Sequence, residues 1–124
     1  MLRTQPPYLI HCNEGKDRCG FCCILLESLA GASLEEVRND YMTTFFNLYG
    51  MVKGTERYEM NLKVNGDRLI HLMAHPEDIE KPDFDWDSID VTAIDLQTSA
   101  EKFLTAHCGL GADEVKALKK IICR

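Results

Sequence analysis

His11-Cys12-Asn13-Glu14-Gly15-Lys16-Asp17-Arg18-Cys19-Gly20, HCNEGKDRCG, is the stretch on which the reading of this chain turns. Before it stands a short apolar run, and Tyr8–Cys12 reads as a strand that starts after the break at Pro6-Pro7. After it, CGFCCILLESLA is apolar on nearly every face, so residues 18–30 read as a buried helix. Gly31 ends that helix, because glycine tolerates the left-handed backbone of a helix C-terminus. The decapeptide is therefore a strand-to-helix loop.

A cysteine at the end of a strand, facing the start of a helix, is placed for nucleophilic chemistry on an anion. The helix N-terminus carries roughly half a positive charge, and thiol pKa values in such places fall from about 8.5 to about 3.5–7.5. Backbone N–H groups along Asn13, Glu14, Gly15, Lys16, Asp17 and Arg18 form a nest for a phosphate, with Gly15 making the turn that a side chain would obstruct. Arg18 adds planar, bidentate hydrogen bonding to two phosphate oxygens. A Cys-x5-Arg pair alone is a weak signal. The preceding His11, the internal Gly15, the trailing Gly20 and the strand-before, helix-after context make it a strong one.

HCNEGKDRCG resembles the HCxxGKDRTG signature of the bacterial-type tyrosine phosphatases, which also act on phosphoinositides and are relatives of the tensin-type lipid phosphatases. "GASLEEVRNDYM" resembles that family's segment after the loop, and "AEKFLTAHCGLGADEVKALKKII" its C-terminal helix pair. The likeness covers most of this chain but only the C-terminal half of the family's domain. It implies an α/β class: the C-terminal part of a cysteine-dependent tyrosine-phosphatase fold, mainly helical here, with one short strand before the phosphate loop. By the same resemblance Cys12 attacks phosphorus, Arg18 binds phosphate and transition state, and Asp17 is an acid within the loop. Lys16 is associated with lipid or multiply charged substrates. The family's Thr or Ser after the Arg is Cys19 here, which is read as a loop stabiliser or a resolving thiol for oxidised Cys12.

The remaining segments are read by pattern. Ser33-Leu34-Glu35-Glu36 is a capping box, and Leu34, Val37, Tyr41, Phe45 and Leu48 form the apolar stripe of the helix it opens. Helical fragments at residues 58–64 and 68–74 are separated by Asn65-Gly66. Residues 77–95 hold eight acids (Glu77, Asp78, Glu80, Asp83, Asp85, Asp87, Asp90, Asp95) against the single base Lys81, and read as an acidic loop or linker within one domain, 1–124. Trp86 reads as a packing anchor there, and His71, His75 and His107 as fillers without a catalytic pattern. Thr98-x-x-Glu101 caps a further helix that Gly109 stops. Val115, Leu118, Ile121 and Ile122 face the core from the last.

Composition bounds the function. With 124 residues, 45% hydrophobic and 27% charged, the chain makes one domain with a real core. A net charge of −6 argues against nucleic-acid binding. No run is long and apolar enough for a membrane span or signal peptide, and six cysteines without a secretory signal point to free thiols in a cytoplasmic, reducing setting. His11, Cys12, Cys19 and Cys22 have zinc-like spacing, but Cys22 and Cys23 read as core residues of the helix, so no metal and no cofactor are expected. The expected activity is hydrolysis of a phosphotyrosine or phosphoinositide through a cysteinyl phosphate; its rival is an inactive phosphate-binding fragment. Only 11 residues precede Cys12, so the surrounding sheet is missing, and a second copy or a separate N-terminal half is the expected partner.

Overall fold

The computed structural model describes residues 2–5 and 7–123. Among the described residues six α-helices carry the architecture: α1 (Arg18–Ala30), α2 (Leu34–Tyr49), α3 (Glu56–Asn61), α4 (Arg68–Ala74), α5 (Leu96–Lys102) and α6 (Ala112–Ile122). Because α1 is apolar all round, it takes the centre, packed by α2, α4, α5 and α6. Ile24 and Leu29 of α1 meet Val37, Met42 and Phe45 of α2, Ile70 and Met73 of α4, and Ala100 of α5, each at most 2% exposed. Gly31 closes α1 in the left-handed conformation, and Gln97 donates to the Leu29 carbonyl at 3.0 Å.

The capping box forms as read. Glu36 N–H donates to Ser33 Oγ at 3.2 Å, and Ser33 N–H to Glu36 Oε2 at 2.8 Å. The α2 stripe ends one turn early, since Leu48 is 49% exposed. Between α3 and α4 the chain does not break at Asn65-Gly66 but runs through a π-helical segment, Leu62–Asp67. Two close approaches explain its glycine. The Tyr41 ring lies between Gly20 and Gly66: a Cβ at Gly20 would stand 2.7 Å from Tyr41 Cε2, and one at Gly66 3.1 Å from Cδ1. Arg38 fastens the same segment with paired 2.9 Å bonds to both oxygens of Asp67.

Three expectations are corrected. No strand exists among the described residues: 7–12 takes no regular secondary structure, with Leu9 85% exposed. A strand is stable only with a neighbour, and here no second strand pairs with it. The cap of α5 is Asp95, whose Oδ1 accepts from Thr98 N–H at 3.1 Å, so Thr98 is inside the helix rather than before it. Cys22 is exposed and Cys23 half-buried, because the core side of α1 is the one carrying Cys19 and Ile24.

The acidic stretch folds as loop with two 3₁₀ turns, Pro76–Glu80 and Trp86–Ser88, and buries Asp78 and Val91. Asp78 accepts from Lys81 Nζ at 2.6 Å and lies 2.7 Å from His71 Nε2. Lys81 first, and His71 second, hold the Asp78 carboxyl below the usual range. Of the two filler positions, surface or core, His71 takes the core, buried, hydrogen-bonded and enclosed by the rings of His75, Phe84 and Trp86.

Candidate active site

The loop 11–17 leads directly into α1, with Asp17 at the N-cap position. Gly15 turns the loop with a φ of +67°, where a side chain would be strained. Cys12 is half-buried, and Cys19, one residue into α1, is buried beneath it. The Cys12 thiol is drawn down from an ordinary 9.0 to about 7. The largest cause is the Cys19 N–H, then the Cys19 thiol, with smaller help from the Gly15 and Glu14 N–H groups; burial opposes them. The Cys19 thiol moves the other way, to about 11, through burial and through the neighbouring Cys12. One sulfur is prepared as anion and the other as donor.

Asn13, Glu14, Gly15, Asp17 and Arg18 are all exposed along the stretch that follows Cys12. Lys16 departs from the solvated charge it resembles on paper. Its ammonium lies 5.5 Å from the Phe45 ring centroid and 5.7 Å from that of Tyr49, and 3.9 Å from Glu14 Oε2. The Tyr49 hydroxyl reaches the same Glu14 oxygen at 3.5 Å. Lys16 therefore braces the loop against α2. Among the described residues no three His, Cys, Asp or Glu side chains gather as metal ligands, so His11, Cys12, Cys19 and Cys22 do not form the tetrad their spacing allows.

Asp17 and Arg18 form one end of a cleft of about 760 Å³. Phe21 of α1, Leu69 and Leu72 of α4, and Phe103 line it, while Glu77, Ile79 and Glu80 stand on the 3₁₀ turn at its rim. Phe21 and Phe103 meet edge-to-face at 5.3 Å, which stiffens the floor. These lining residues escape sequence reasoning because they come from four separate segments. The paired acids in Glu77–Glu80 are the one signal that was present.

Behind the loop, Glu27 is the one acidic residue of α1, and it pairs with Asp40 of α2. Burial, then the Asp40 carboxyl, push Glu27 up to about 8, so Glu27 keeps its proton at neutral pH. Tyr41 lines the same small cavity as Gly15, Gly20, Glu27 and Asp40, and its buried hydroxyl has no partner among the described residues.

A half-buried cysteine thus stands in the loop that leads into α1, and Arg18, the first residue of that helix, borders an open cleft. The family model of the tyrosine phosphatase family matches residues 1–124, and the chain belongs to that family. No curated protein and no solved structure matches it. Membership supports a phosphatase activity and a phosphorylated substrate. No helix among the described residues is long and apolar enough to cross a membrane.

Proposed function

We propose that the chain hydrolyses phosphomonoesters, of phosphotyrosine or a phosphoinositide, through a cysteinyl-phosphate intermediate. Cys12 Sγ attacks phosphorus, the bond to the leaving oxygen breaks, and Asp17 delivers the proton that oxygen needs. Water then attacks the thiophosphoryl group, releasing phosphate and the Cys12 thiolate. Arg18 and the N–H groups from Asn13 to Arg18 hold the three phosphoryl oxygens throughout. The support is the Cys12 thiol, lowered to about 7 by donors from Cys19 at the start of α1.

Iodoacetamide at pH 6 is expected to label Cys12 ahead of the other five cysteines, with vanadate protecting it. Labelling led by Cys108 or Cys123 defeats the assignment. A second reading is favoured by the absence of any strand among the described residues: a phosphate-binding fragment that does not turn over. A burst of product from an aryl phosphate followed by no steady state marks a trapped intermediate, and no burst with measurable phosphate binding marks the fragment. We also place association of this chain with a second copy on the apolar groove lined by Ile10, Leu25, Leu26 and Leu118.

A further inference from the structure

We infer that the cleft beside Arg18 selects phosphotyrosyl peptides with basic neighbours and turns away phosphoinositide headgroups. This rests on the phosphatase reading above. Arg18 marks the phosphate end. Beyond it Phe21, Leu69, Leu72 and Phe103 offer apolar walls, which suit an aromatic ring and give nothing to the hydroxyls of an inositol. A volume of about 760 Å³ takes such a ring together with a flanking side chain.

Charge decides between the two substrates. Two carboxylates, Glu77 and Glu80, border the cleft against the one guanidinium of Arg18. A headgroup with several phosphates meets this rim with like charge, whereas a Lys or Arg beside the phosphotyrosine meets it with opposite charge. Lys16, the other cation of the loop, is held over Phe45 and Tyr49 beside Glu14.

Binding to the Cys12→Ser chain, which has lost the nucleophile, tests this by calorimetry. The probes are a phosphotyrosyl peptide flanked by Arg, the same peptide flanked by Glu, and phosphatidylcholine vesicles containing a phosphoinositide. The Arg peptide is expected to bind about fivefold tighter than the Glu peptide at low salt, with the gap closing as salt screens it. Glu77→Gln/Glu80→Gln, placed in the same chain, is expected to remove most of that preference. Equal binding of the two peptides, no binding of either, or tighter binding to the vesicles overturns the inference. Vanadate protection of Cys12 in the wild-type chain separates the two levels. Where protection holds and the peptide preference fails, only the selectivity is wrong; where protection fails, the phosphatase reading falls and takes the selectivity with it.

Discussion

At the scale of single residues, the pairing of Cys12 with Cys19 divides the proposed reaction into two differently sensitive steps. The Cys19 thiol donates to Cys12, but a hydroxyl is the better donor to a thiolate. Cys19→Thr is therefore expected to speed breakdown of the thiophosphoryl intermediate while leaving the first step nearly unchanged, since the Cys19 N–H and Arg18 remain. Equal changes in burst and steady-state rates contradict this. Glu27 gives a pH test. Its folded pKa, about 8, lies above the ordinary 4.5, so between these values the folded chain keeps a proton that the unfolded chain has released. Stability then falls as pH rises from about 4.5 to about 8, and Glu27→Gln is expected to flatten that fall in melting temperatures taken at pH 5 and pH 8. An unchanged slope shows that the proton is not held there. The loop residues were legible because they are contiguous and each carries a known chemistry. Lys16 was not, because its partners Phe45 and Tyr49 lie some thirty residues away on another helix.

At the scale of elements, the Tyr41 ring between Gly20 and Gly66 links three helical segments. Gly20→Ala would gain about 1 kcal/mol in helix propensity on an open surface. Here the new Cβ would lie 2.7 Å from Cε2 of a ring already flanked by Gly66 and tilted against Phe45 at 5.6 Å. Overpacking of this kind costs about 1–3 kcal/mol, so net destabilisation is expected in denaturant titration. Adding Tyr41→Leu should recover part of it, and strictly additive effects would show that the contact is not the cause. The helices themselves were readable from caps and three- and four-residue spacing, as at Ser33 and Val37. The π-helical joint was not. Asn65-Gly66 carries a local signal for a break, and what overrides it is the distant Tyr41 ring and the Arg38–Asp67 pair.

At the scale of the whole molecule, the misread strand is informative. Tyr8–Cys12 has strand propensity, but pairing is a property of two segments, and no pattern within one of them supplies the second. Leu9→Pro is accordingly expected to leave the melting temperature of the dilute chain unchanged, because Leu9 is 85% exposed and belongs to no ladder. At tens of micromolar the same substitution removes a donor from any added strand, and light scattering should report a lower mass than wild type. Association indifferent to Leu9→Pro puts the interface elsewhere. Cohesion of the acidic stretch has a different consequence. Trp86 is the single tryptophan of the chain, and it sits 5.9 Å from the His71 ring and 5.7 Å from the Arg68 guanidinium. His71 in turn holds Asp78, on the turn that carries Glu77 and Glu80 to the cleft. All indole fluorescence therefore originates in the cluster that anchors this turn, and the emission of the unlabelled protein becomes an optical gauge of the turn's attachment.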